Sequence, residues 1–262
     1  MLVRFALILA VWLGAAGIAR AECPPRSDIA THVFAGGWCL LTSTYGRDTA
    51  GPSPTLVVVV HGDISDGGRA TYHERFAEQL ARPGVIAVAL TRPGYPNSTG
   101  RKSGGDALGR QDNYTPAVVN AVGAAIDALR KHYQASRVVY VGHSGGAAIG
   151  GVILGRRAGL IDAAVLVSCP CDLAAWQRAR GHNWSRSLSP MDVASQVPRS
   201  TTVVALSGSG DSNTSPAVAE SYVAELAKRG VSARFVNVAD ARHGFRGLEV
   251  AVKAEADALL AR

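Results

Sequence analysis

RVVYVGHSGGAAIGGVILG, residues 137–155, reads in three pieces. Arg137–Val141 is a short β-branched apolar run, the composition of a strand buried on both faces. Gly142-His143-Ser144-Gly145-Gly146 follows at once and has the G-x-S-x-G spacing of a nucleophile elbow. Ser144–Gly155, rich in Ala, Gly and Ile, then reads as a helix. Strand, tight turn and helix in that order would expose a serine at the top of a sheet. The glycines suit a turn that strains the serine backbone and has no room for neighbouring side chains. The helix behind it would aim its first N–H groups at the reacting centre.

Working outward, the same alternation repeats. Thr55–Val60 (TLVVVV) and Val85–Leu90 read as strands before this unit, and Ala163–Ser168, Thr201–Ser207 and Ala233–Val238 as strands after it. Helices are expected over Ala70–Ala81, Asn113–Tyr133, Pro216–Arg229 and Leu248–Leu260, with an opening hairpin over Thr31–Tyr45 at one edge. Such alternation specifies an α/β fold: a mainly parallel central sheet with helices on both faces. Two connections are long. Thr91–Asp112 is Gly-, Ser- and Arg-rich, and 172–199 carries Trp176 and Trp184 and is read as a small cap insertion.

A serine needs a base, and the base needs an acid. Of the seven histidines, His243 lies in a loop after the last strand, in Ala241-Arg242-His243-Gly244-Phe245. His143 lies inside the elbow and is expected to point away from the serine. Asp211 follows directly on the strand TTVVALS, with Asp172, one strand earlier, as the reserve acid. Ser144, Asp211 and His243 each stand just past the carboxyl end of a strand, where ligands bind such sheets. For the oxyanion hole the expected donors are the Gly145 amide and the Asp63 amide in His61-Gly62-Asp63, with Ile64 as the alternative to Asp63. The Asp63 carboxylate is then expected to turn away or to be hydrogen-bonded locally.

Composition sets bounds on the remainder. Hydrophobic residues make up 47% and charged residues 18% of 262 residues, enough to bury a large core in one domain. Residues 1–21 read as a secretory signal peptide: Arg4, an apolar run from Phe5 to Ile18, and the cleavage site Ala19-Arg20-Ala21. The expected mature domain is 22–262, secreted or periplasmic, with no stable membrane anchor after cleavage. The formal charge of +7 becomes +5 once Arg4 and Arg20 leave. No basic run of five or more residues exists, so nucleic-acid binding is not expected. In an oxidising compartment Cys23 and Cys39 are expected to pair, while Cys169 and Cys171, one proline apart, are read as free thiols. No metal-ligand spacing accompanies them, and no metal or organic cofactor is expected.

HGD at 61–63, RPGYPNSTG at 92–100, GHSGG at 142–146, GSGD at 208–211 and RHGF at 242–245 together resemble the α/β-hydrolase superfamily. The closer likeness is to dienelactone-hydrolase and prolyl-oligopeptidase-type catalytic domains. The resemblance runs from about Thr55 to the C-terminus. It implies the order Ser144, Asp211, His243 and the same three roles. It also implies hydrolysis of an ester or related acyl bond in a small molecule or a peptide, with a peptidase or acyltransferase using the same residues as the alternative. A non-catalytic hydrolase-fold binding module is a further reading, against which the intact triad argues. Tyr95, Trp176 and Trp184 are the candidate substrate-lining residues.

Overall fold

The structure is a computed structural model that describes residues 23–24, 28–66, 68–106 and 111–261. The expected signal peptide lies outside them. Eight strands form one sheet. In chain order the elements are β1 (His32–Ala35), β2 (Trp38–Tyr45), β3 (Thr55–Val60), α1 (Tyr72–Leu80), β4 (Val85–Leu90), α2 (Pro116–His132), β5 (Arg137–His143) and α3 (Gly145–Arg156). They continue with β6 (Ala163–Val167), α4 (Leu173–Arg180), β7 (Thr202–Gly208), α5 (Pro216–Lys228), β8 (Ser232–Val238) and α6 (Phe245–Leu260). The spatial order is β1-β2-β4-β3-β5-β6-β7-β8. β2 runs antiparallel to both β1 and β4, and every pair from β4 to β8 is parallel.

The central strands are apolar throughout because both of their faces are covered. Leu56, Val58 and Val60 of β3 and Val138 and Tyr140 of β5 enter the core shared with α2 and α3. Val57 and Val59, with Val139 and Val141, enter the opposite core against α1 and α6. The period of two along each strand therefore sorts one apolar run into two cores.

Most element boundaries fall within a residue or two of those read from the sequence, and the exceptions have local causes. α2 begins at Pro116 rather than Asn113, because Thr115 accepts the Val118 amide as its N-cap and Pro116 occupies the first turn. β5 runs on through His143, which carries the strand up to the serine. α6 begins at Phe245 rather than Leu248, and this puts the Phe245 ring into the core beside Tyr72 and Phe76.

The long connections are packed rather than plain surface loops. In 91–106, Arg92 and Tyr95 are fully buried, and Pro96 bridges to Lys102. Residues 172–199 hold α4 and a 3-10 turn, Met191–Gln196. Cys23 is bonded to Cys39, with Cα atoms 5.0 Å apart. Cys169 and Cys171 are likewise bonded to each other, which corrects their reading as free thiols. The turn through Pro170 brings their Cα atoms to 5.0 Å, inside the range a disulfide spans, and both side chains are buried.

Candidate active site

Ser144 sits between the end of β5 and the start of α3 with φ 50° and ψ −116°, a conformation that L-residues rarely adopt. Its backbone N–H is held by the Val167 carbonyl at 2.8 Å, and Tyr140 Oη donates to the Gly146 carbonyl at 2.6 Å. Strained backbone survives only where neighbours fix it, and these bonds tie the turn to β6 and to β5.

Two loops at the same sheet edge converge on this serine. His243 Nε2 lies 3.0 Å from Ser144 Oγ, and His243 Nδ1 lies 2.9 Å from Asp211 Oδ2 and 3.1 Å from Oδ1. Asp211 also accepts the Asn213 and Thr214 amides on Oδ1, at 3.0 and 2.8 Å. Burial pushes its carboxyl upward, but the His243 hydrogen bond and the Thr214 amide outweigh this and leave it below the usual carboxylate range. An ionised Asp211 requires the proton on Nδ1, so Nε2 presents a lone pair to the serine hydroxyl. Asp172 does something else: it is the N-cap of α4, accepting the Ala175 amide at 2.9 Å.

The His61-Gly62-Asp63 loop passes directly over the elbow. A Cβ on Gly62 would lie 3.0 Å from Ser144 Cβ and 3.1 Å from His143 Nδ1, so a larger residue there would have to push the elbow aside by a few tenths of an ångström. His61 clamps the loop to β4: its Nδ1–H donates to the Gly62 carbonyl at 2.7 Å, and its Nε2 accepts the Arg92 amide at 3.0 Å. Burial, then the neighbouring His73 and Arg92, keeps His61 neutral well below its ordinary range. Asp63 turns its carboxylate inward, where Arg92 Nη1 (2.8 Å), Tyr114 Oη (2.8 Å) and Tyr95 Oη (3.2 Å) all donate to it. The Gly62 N–H is taken by Tyr72 Oη at 2.6 Å. The Asp63 and Gly145 amides have no acceptor among the described residues, and the Ile64 amide stands against the Tyr95 hydroxyl. A Cβ on Gly145 would lie 2.8 Å from Asp63 Oδ1, so the two loops are in contact.

Nothing in the sequence marks Tyr72, and His143 is read from it only as pointing away from the serine, yet the two tie the three parts of the site together. Tyr72 Oη accepts the Gly62 amide and donates to His143 Nδ1 at 2.7 Å, and His143 Nε2–H donates to the His243 carbonyl at 2.9 Å. Burial first, and the neighbouring His243 second, lower the His143 pKa to about 4, so the ring is neutral at pH 7. His143 does point away from the serine, and its target is the backbone of the His243 loop. Asn213 is a further neighbour, with Nδ2 3.0 Å from His243 Nε2.

The three candidate substrate residues divide. Tyr95 is fully buried with its hydroxyl on Asp63, so it supports the loop from beneath and offers no surface to a ligand. Trp176 is buried and donates through Nε1 to the Asn213 carbonyl at 2.9 Å. Trp184 is half-buried, packs on Trp176 and meets the Tyr114 ring edge-on at 5.5 Å.

Residues 51–240 match the family described as Hydrolase_4, serine aminopeptidase, S33. No curated protein matches the chain in sequence. Several solved structures share the fold. Est1E from Butyrivibrio proteoclasticus, with ferulic acid bound, is 16% identical over 88% of this chain and 98% of that one, with a TM-score of 0.67. A puromycin-hydrolyzing peptidase of Mycobacterium tuberculosis is 20% identical over 86% of this chain and 37% of that one, with a TM-score of 0.68. The Pyrococcus furiosus esterase Pf2001 is 16% identical over 88% and 89%, with a TM-score of 0.62.

Proposed function

This chain belongs to the Hydrolase_4 serine aminopeptidase family and is a serine hydrolase of the α/β-hydrolase fold, and we propose that it cleaves an ester or related acyl bond through an acyl-enzyme on Ser144. One observation carries this reading: the unbroken hydrogen-bonded line from Ser144 Oγ through both nitrogens of His243 to Asp211. A serine, a base with its tautomer fixed and a buried acid are the parts that acyl transfer requires.

In this reading Ser144 Oγ attacks the acyl carbon and its proton passes to His243 Nε2. The negative charge gathers on the former carbonyl oxygen, which takes hydrogen bonds from the Asp63 and Gly145 amides. His243 then gives its proton to the departing alcohol oxygen, and the C–O bond breaks to leave the acyl on Ser144. Water repeats the sequence: His243 takes its proton, hydroxide adds, and Ser144 leaves with the proton returned. Asp211 stays ionised and stabilises the imidazolium at each step.

The signal-like composition of residues 1–21 supports export, and in this reading the enzyme acts outside the cytoplasm on a small ester or a peptide. Peptide bond cleavage is the second reading, favoured by the aminopeptidase description of the family. The test is a screen of the purified mature protein against p-nitrophenyl esters of increasing acyl length and against aminoacyl amides, with Ser144→Ala beside it. The expected result is ester turnover that falls at least a thousandfold in Ser144→Ala. Turnover of amides alone would move the assignment to a peptidase, and turnover retained in Ser144→Ala would remove Ser144 from the chemistry.

A further inference from the structure

Behind the candidate oxyanion hole lies a buried ion pair that acyl transfer does not by itself call for. The Arg92 side chain is fully buried and that of Asp63 is 6% exposed, with 2.8 Å between Nη1 and Oδ1. Both touch the elbow: a Cβ on Gly145 would lie 2.7 Å from Arg92 Nη1 and 2.8 Å from Asp63 Oδ1. The guanidinium is not saturated. Its Nε and Nη2 have no hydrogen-bond partner among the described residues, and the Tyr95 and Tyr114 rings lie 5.0 and 5.7 Å from its carbon. A buried arginine with two idle nitrogens is costly, and only part of that cost is offset by cation–π contact.

The loop explains why it is there. The Asp63 side chain pins the loop that carries the Asp63 amide, because three donors converge on its carboxylate oxygens. That carboxylate would otherwise stand as a negative charge beside a second negative charge growing on the substrate oxygen. We propose that Arg92 is a positioning residue of the oxyanion hole: it cancels the Asp63 charge, so that the carboxylate can shape the loop without opposing the transition state. This rests on the acyl-transfer reading above. As a general scale, a charge about 6 Å from a developing oxyanion at an effective dielectric of about 20 is worth about a hundredfold in rate.

The test is a double-mutant cycle on p-nitrophenyl acetate hydrolysis, read as kcat and KM separately, with thermal unfolding of each variant. Arg92→Gln removes the charge and leaves a polar amide two atoms short of the Nη1 position, with Tyr95 and Tyr114 still donating to Asp63; kcat should fall about a hundredfold with KM changed less than threefold. Asp63→Asn should cost less than tenfold in kcat. The double variant Asp63→Asn/Arg92→Gln should recover at least tenfold over Arg92→Gln, because the stray charge is gone. A purely structural pair also shows rescue in the double variant, but there kcat follows the unfolding midpoint across all four proteins, whereas the proposal expects the kcat loss of Arg92→Gln to exceed what its stability accounts for. If Arg92→Gln does not fold, Arg92→Lys decides, since it keeps the charge and should hold kcat within about tenfold; a folded Arg92→Lys that loses a hundredfold overturns the proposal. Wild-type protein that turns over no ester and leaves Ser144 unlabelled by a fluorophosphonate would instead overturn the acyl-transfer reading, and this proposal with it.

Discussion

Replacing Asp211 by asparagine changes one atom and should change the tautomer of His243. Oδ1 of Asp211 accepts two backbone amides, Asn213 at 3.0 Å and Thr214 at 2.8 Å. An asparagine amide must keep its oxygen there, because an NH2 group turned toward two N–H donors would have nothing to accept. The NH2 then occupies the Oδ2 position, 2.9 Å from His243 Nδ1. It can only donate, so the imidazole proton moves to Nε2 and points at Ser144 Oγ, and the base has no lone pair for the serine. In a serine protease the same exchange costs about 10⁴-fold, or about 5.4 kcal/mol at the transition state. Folding should change by less than about 2 kcal/mol, since shape and both backbone hydrogen bonds remain. Asp172→Asn is the control: it caps α4 on the Ala175 amide, and asparagine caps about as well as aspartate. The assay is kcat and KM on p-nitrophenyl acetate with thermal unfolding of all three proteins. A folded Asp211→Asn that loses less than tenfold, or a larger loss in Asp172→Asn, would refute the assignment of the acid.

Tyr72→Phe leaves the Gly62 amide and His143 Nδ1 without their partner, and at about 1–3 kcal/mol for each group it should lower the unfolding free energy by about 2 kcal/mol or more. It should also lower kcat more than it raises KM, since in the proposed mechanism the loop it holds carries an oxyanion donor; denaturant unfolding and initial rates read both. Stability should fall on acidification: His143 and His73 have folded pKa values of about 4 and about 3, below the ordinary 6.5, so their contribution is whole above pH 6.5 and is lost as pH drops. Each contributes a slope of up to about 1.4 kcal/mol per pH unit below that point, and denaturant midpoints equal at pH 7 and pH 5 would contradict their burial as neutral rings. Peptide mapping of protein exported to an oxidising compartment should find Cys23 joined to Cys39 and Cys169 to Cys171, and any cross-pairing would contradict the arrangement in the fold.

The fold was legible where burial acts on every residue of an element. β3 and β4 keep their sequence-derived bounds because a strand covered on both faces is apolar from end to end. The helix starts were harder, since Pro116 and Phe245 are set by a cap and by a ring finding its core. That Ser144, Asp211 and His243 share one sheet edge was legible because each follows a strand end, and the structure joins them in one hydrogen-bonded line. Tyr72 was not legible: its partners Gly62 and His143 are 10 and 71 residues away, and nothing local to α1 marks the tyrosine as anything but amphipathic. Tyr95 was misplaced for a related reason. Its neighbour Arg92 draws the 91–106 segment inward onto Asp63, 29 residues earlier, whereas the Gly- and Ser-rich composition reads as solvent-facing.

The central claim is that Ser144 is the nucleophile, and covalent labelling tests it without knowledge of the natural substrate. Folded mature protein is treated with a fluorophosphonate, digested, and the modified peptide is sequenced by mass spectrometry. The account predicts one adduct, on Ser144, absent from Ser144→Ala and formed far more slowly in Asp211→Asn. An adduct on another serine, or none on well-folded wild-type protein, would contradict it.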